Sequence, residues 1–442
     1  MQARITCFRD LGNRLHDQEL SCFVNFNQNY DTALADPFFP QRPTILLHDQ
    51  EPILFSAQKE RWSEWRFNTS SFDDRMIILT SERNSKELDS FCQTFEATPC
   101  HFFSNGALAC DWFYEHRWSL RNYMPDPKPR LHYKFSCLNR LISQQRCYRP
   151  VLSRFLQENV DNRFLRLSCM LTDPVTGDTP DSLDIPLKYK SYFKKIDYNE
   201  PILINTLGND VDINKNIHND SFNPVSQYFV NVFCHIVSET MFIDNTLHLT
   251  EKSLRPFINK RPMLLLGPQH SLSYLRSYGF QTFGKFWDES YDEIQDPWAR
   301  LEAVMKIIDQ LNKLSLDDME MILDEMKPIC EHNYRHFYQE FPNIIINELI
   351  TNMKQAITQS RAKPMKGWML NRIKELSEAR IHGLLNGIII DEYSNHDLYI
   401  DYKQNNMTKI DFNLARLLVV EHGFDKKSSK DEILARFKTI LD

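Results

Sequence analysis

One stretch constrains this chain more than any other. A β-prone run, Tyr228 to Val237, leads into Ser238-Glu239-Thr240. A loop then reaches Leu249-Thr250-Glu251-Lys252, where Thr250 suits a helix N-cap. Arg261-Pro262 closes that segment, and Met263-Leu264-Leu265-Leu266 follows as a short apolar run stopped by Gly267-Pro268. Loop, helix start and buried strand in that order predict part of an α/β domain. They place Glu251 and Lys252 at the mouth of a helix, on the carboxyl edge of a sheet. Open α/β sheets bind ligands at that edge. A helix start offers free N–H groups and partial positive charge to a phosphate, and Lys252 adds a full charge. Glu251 can accept both hydroxyls of a ribose. The group as a whole suits a sugar nucleotide. The plainer alternative is a capped helix beside a core strand, since an acidic residue in a first turn is routine.

The pattern resembles the donor-site signature of α-1,3-fucosyltransferase-type enzymes: a flanked Glu, a loop, Thr-Glu-Lys, a helix, and an apolar strand ending in Gly-Pro. The resemblance is strongest over residues 225–295 and is closest to a divergent, phage-like branch. Asp244-Asn245 stands here where the family carries an Asp-Tyr pair before the Thr. The resemblance implies a GT-B-like α/β fold, two facing Rossmann-like domains, with a mainly helical C-terminal extension. It implies an inverting transfer of a sugar from a nucleotide-diphosphate sugar (GDP or UDP) to an acceptor hydroxyl, with no metal or other cofactor required. Thr250, Glu251 and Lys252 would bind the donor, and Glu239 or Asn245 would line its sugar.

The 442 residues suffice for two or three domains. Three prolines within Met124-Pro125-Asp126-Pro127-Lys128-Pro129 cannot sit in a helix or a central strand and mark a linker. The expected organisation is an acceptor-side α/β domain over 1–123, a linker over 124–130, and a donor-binding α/β domain over 131–328. A crossing helix over 329–364 and an extension of unassigned role over 365–442 complete it. Apolar runs predict strands at Thr44 to Leu47, Met76 to Leu79, His101 to Phe103, Tyr133 to Leu138 and Phe164 to Met170. Helices are expected over Asn84 to Phe95, Arg146 to Glu158, Ser271 to Tyr278, Pro297 to Leu314 and 329–361. The 11 glycines form no G-x-G-x-x-G or Walker loop. Met1 to Leu20 carries charges throughout and lacks a signal core, and no run of about 18 apolar residues is present, so no membrane span is expected. The ten cysteines show no CxxC pairing, so reduced thiols and a cytoplasmic location are expected. The net charge of −7 weighs mildly against a nucleic-acid partner.

Two further clusters can carry chemistry. Phe135-Ser136-Cys137-Leu138-Asn139-Arg140 precedes Arg146 and Arg149, in what should be the first βα turn after the linker. The resemblance implies that one of these arginines clamps the donor diphosphate, and it does not choose between them. His48-Asp49-Gln50-Glu51-Pro52 follows the Thr44 strand, where the resemblance places the general base. Glu51 is the candidate and Asp49 the lesser one; a turn-starting acid before Pro is the alternative. In Thr80-Ser81-Glu82-Arg83-Asn84-Ser85, Ser81 or Asn84 would cap the next helix. Asp111-Trp112 suits an acceptor pocket, and Asp288 to Asp292 shares the branch's composition. Asp210-Val211-Asp212 has the D-x-D form of a metal site but lies in a turn-rich stretch. His332 and His336 share a helix face, with no third ligand evident.

The acceptor is a glycan or, in the phage-like reading, a hydroxymethylated base in DNA. An inactive relic that only binds is the alternative of another class.

Overall fold

The computed structural model describes residues 24–26, 44–47, 51–57, 76–114, 130–174, 176–206, 231–362 and 427–441, with a few single positions besides. They build two sheets rich in parallel pairs. The first has the order β1-β2-β3-β4: Val24–Phe26, Thr44–Leu47, Met76–Thr80 and Thr98–His101, all parallel. Helix α1 (Lys86–Phe95) joins β3 to β4, and α2 (Ser104–Tyr114) follows β4. Strand β3 is buried along its whole length. Its alternate residues serve two cores: Ile77 and Leu79 face one, while Met76 and Ile78 pack with Leu88, Phe91 and Phe95 of α1.

The second sheet runs β7-β6-β5-β8-β9. Its strands are β5 (Tyr133–Leu138), β6 (Leu165–Cys169), β7 (Ile202–Ile204), β8 (Val232–Ser238) and β9 (Met263–Leu266). Only β7 is antiparallel to its neighbour. Helix α3 (Tyr148–Asn159) leaves β5, and the short α4 (Arg255–Ile258) precedes β9. From β5 the chain winds outward to β6 on one side, and β8 lies on the other. The β5/β8 boundary is therefore the topological switch point, and the crevice beyond its carboxyl ends is where this architecture places ligands.

Helices α5 (Ser271–Ser277), α6 (Pro297–Asn312), α7 (Leu316–Gln339) and α8 (Phe341–Ala362) follow. Helix α7 packs on β5 and β8 of the second sheet, and α8 on β3 and β4 of the first. The amphipathic stretch expected to begin at 329 thus starts at Leu316, behind a capping box of Ser315 and Asp318, and breaks at Glu340. Pro342 sits in the first turn of α8, where its missing N–H costs nothing. Gly106 permits this docking: a Cβ there would lie 2.8 Å from the Phe341 ring. Among the described residues no helix is long and apolar enough to cross a membrane. Of the extension, the described part includes α9 (Lys430–Leu441).

The strand expected at His101 to Phe103 lies three residues earlier. Phe102 and Phe103 are fully buried, but they lie between β4 and α2 rather than in the sheet. Phe103 rests against Tyr274, Tyr278 and Phe341, so its burial comes from distant helices. The Pro-rich linker at 124–129 and Asp210-Val211-Asp212 lie outside the described residues.

Candidate functional site

The carboxyl ends of the two sheets meet. Arg83, after β3, exchanges both backbone hydrogen bonds with Leu247, at 3.0 and 2.9 Å. Asn105 at the start of α2 donates to the Leu249 carbonyl at 2.9 Å and lies 3.2 Å from His248 Nε2. Ser81 Oγ stands 3.4 Å from His248 Nδ1. The loop that carries the Thr250-Glu251-Lys252 segment is thereby stitched to the first sheet.

Across this seam the Arg146 guanidinium donates to Glu51 Oε2 at 2.6 Å. The Glu51 side chain is 63% exposed. Partial desolvation pushes its pKa up, but Arg146, then Lys252 and His248, outweigh this and hold it below the usual carboxylate value. The backbone around Glu51 is fixed from three sides. Pro52 keeps Glu51 out of the helical region. The Ile53 N–H donates to Glu82 Oε1 at 2.6 Å, and Ser56 donates to Glu87 through its N–H at 2.6 Å and its hydroxyl at 2.8 Å. Phe55 packs edge-on against Phe91 and Phe95. Glu82 is fully buried, and burial raises its pKa against the pull of His248. Asp49 lies outside the described residues.

The structure separates the two arginines. Arg146 closes a short 3₁₀ turn, Gln144–Arg146, and reaches Glu51 of the other sheet. Arg149, one turn on, is 5% exposed. Its guanidinium donates to the carbonyls of Leu141, Ser238 and Glu239 at 2.9, 3.1 and 3.1 Å. It ties α3 to the end of β8 and is committed to backbone. Tyr148 supports the same corner: its hydroxyl donates to the Glu239 carbonyl at 2.7 Å, and its ring stacks on Phe242.

Glu239 likewise is a strut. It is fully buried, and its carboxylate accepts from the Thr250 N–H at 3.1 Å, the Thr250 hydroxyl at 2.7 Å and the Ser253 hydroxyl. Its burial leaves it no surface to line a sugar. Thr250 caps the 3₁₀ turn Glu251–Ser253 by accepting from the Lys252 N–H. Glu251 is buried, with Arg255 at 3.9 Å, and burial raises its pKa. Asn245 is exposed and lines the cleft.

Lys252 Nζ reaches the Thr240 hydroxyl at 3.2 Å, the Ser238 carbonyl at 3.4 Å and Glu239 at 3.7 Å. Burial lowers its pKa; Glu239 pulls it up while Arg149 and Arg146 push it down, leaving it at about 8. The ammonium is charged below that pH and neutral above it. A nucleoside diphosphate that needs this charge should bind about tenfold more weakly at pH 9 than at pH 7. Isothermal titration across that range, with Lys252→Met removing the dependence, checks this.

The other candidates are structural here. Ser85, not Ser81 or Asn84, caps α1 by accepting from the Leu88 N–H. Trp112 is partly buried against the core. Glu289 holds Thr282 and the Phe283 N–H, and Asp292 caps α5 through the N–H groups of Leu272 and Ser273. His332 and His336 point their Nε2 atoms at the carbonyls of Gly279 and Tyr278, at 3.0 and 2.7 Å. They fasten α7 to the end of α5. Sequence reasoning passed over His248 and Asn105. Their signal was weak: a single His between Leu247 and Leu249, and an amide just after a Phe pair.

No family model, curated protein or solved structure matches this chain. Function therefore has to be argued from the site.

Proposed function

We propose that the chain is an inverting glycosyltransferase of GT-B-like build, using a nucleotide-diphosphate sugar as donor and a hydroxyl compound as acceptor. The observation that carries this reading is the Glu51–Arg146 pair at 2.6 Å, with Lys252 close by, at the β5/β8 switch point. A carboxylate from one sheet and two cations from the other converge where an α/β protein binds ligands. Glu51 takes the proton of the acceptor hydroxyl as its oxygen attacks the anomeric carbon. The bond from that carbon to the diphosphate oxygen breaks, and its electron pair leaves with the diphosphate. Arg146 and Lys252 stabilise the charge that develops there. One displacement inverts the anomeric centre. Arg146 exchanges its partner from Glu51 to the phosphate when the donor enters, which frees the carboxylate to act as base. Asn245 is assigned to the sugar, while Glu251, 5% exposed and 3.9 Å from Arg255, is too buried to take the ribose hydroxyls expected of it. Arg149 and Glu239 hold these groups in place.

Thermal unfolding with GDP, UDP and CMP and their sugar conjugates tests the reading. One nucleotide at a hundred times its Kd should stabilise the protein by about 2.7 kcal/mol. Arg146→Met should remove most of that gain. Stabilisation by none of them overturns the transferase reading and leaves the binding relic.

A further inference from the structure

Beyond the Glu51–Arg146 pair, a cleft of 720 Å³ runs between the two sheets' loops. Its charge differs from that of the cationic corner. Among the described lining residues, Glu87, Asp244 and Asp296 bring three carboxylates against the single ammonium of Lys86. Each carboxylate is held by backbone: Glu87 by Ser56, Asp244 by the Thr246 N–H at 2.9 Å, and Asp296 by the Ala299 N–H at 2.6 Å. Their charges are fixed in position, and each carboxylate keeps lone pairs for a further donor. Two amides, Asn245 and Gln145, complete the polar lining. Gln145 Oε1 is buried and has no hydrogen-bond partner among the described residues. A buried carbonyl oxygen in that state can accept from a ligand or a water. The cleft thus accepts hydrogen bonds and cations, and it repels phosphate.

Resting on the transferase reading, we infer that this cleft is the acceptor subsite and that it takes an unphosphorylated saccharide, with an amino-bearing sugar favoured over a neutral one. The described lining disfavours nucleic acid. A DNA-binding cleft must neutralise several phosphates with Lys or Arg. Among the described lining residues, one lysine against three carboxylates does the reverse.

The test is nucleotide release from whichever donor stabilises the protein, measured at pH 6.5 with three acceptors. These are chitobiose, the glucosamine disaccharide with free amines, and a duplex oligonucleotide containing hydroxymethylated cytosine. Both sugars should stimulate release, the amine with a KM about tenfold lower, and the duplex should not. The double variant Asp244→Asn, Asp296→Asn keeps an amide oxygen for each backbone hydrogen bond and removes two charges. It should abolish the preference for the amine. Stimulation by the duplex, stimulation by neither sugar, or an amine preference unchanged in the double variant overturns the inference. Nucleotide-induced stabilisation is read separately. If it is present while the duplex is the acceptor, the inference fails and the transferase reading stands; if it is absent, the transferase reading itself fails.

Discussion

Glu51→Gln should lower turnover by about 10²–10⁴-fold, the usual contribution of a general base, and leave nucleotide-induced stabilisation intact. The amide keeps the shape of the side chain and cannot take a proton. The global fold should hardly respond, because Glu51 is 63% exposed and its pair with Arg146 lies at the cleft rim. Pairs of that kind contribute about 0–1 kcal/mol. The pH profile adds a second readout. Arg146, Lys252 and His248 hold the Glu51 pKa below its ordinary value despite partial desolvation. The acid limb of kcat/KM, which reports the enzyme before the donor draws Arg146 away from Glu51, should therefore fall below about pH 4.3, the ordinary glutamate value. The basic limb should follow Lys252, at about 8. Arg146→Met removes the largest pull on Glu51, so it should move the acid limb upward as well as weaken donor binding. A Glu51→Gln enzyme with full turnover would place the base elsewhere.

Local patterns carried much of the architecture. The apolar runs at Tyr133 to Leu138 and Met263 to Leu266 became strands where their composition put them. The stretch from Ser238 to Lys252 did fall at the carboxyl ends of a parallel sheet. What failed was decided at a distance. Phe102 and Phe103 look like strand residues because they are apolar, yet Phe103 is buried by α5 and α8. Arg146 and Arg149 stand one helical turn apart and are equivalent in sequence terms. The carbonyls of Ser238 and Glu239, ninety residues later, claim one of them and leave the other to Glu51. Glu239 and Glu251 both read as ligand-facing acids. The hydroxyls of Thr250 and Ser253 turn Glu239 inward, and Glu251 too is buried, beside Arg255. The charge of the wider cleft was equally invisible, since Glu87, Asp244 and Asp296 come from three separate loops.

Glu239→Ala should cost about 3–5 kcal/mol of stability, the range for removing one partner of a buried charged network. The carboxylate is fully buried and satisfies the Thr250 N–H, the Thr250 hydroxyl and the Ser253 hydroxyl, with Lys252 at 3.7 Å. Its loss leaves those donors without their acceptor and a partly buried ammonium without the carboxylate beside it. Urea unfolding reads the loss directly. Glu239→Gln should cost less, because its amide oxygen still accepts two of the bonds. The pH dependence of the wild type has a definite sign. Lys252 and the hydroxyls lower the Glu239 pKa against the cost of burial. The stabilisation is therefore complete above the unfolded glutamate pKa and is lost as pH falls through the folded one. The alanine variant should lack that acid-sensitive component. It should also change the site, because Glu239 is the strongest influence holding the Lys252 pKa up. Without it the ammonium loses its proton at lower pH, and nucleotide affinity should begin to fall below pH 8. A variant with unchanged stability would mean that the turn at Thr250 stands without its buried carboxylate. An unchanged pH dependence of binding would mean that Lys252 does not feel it.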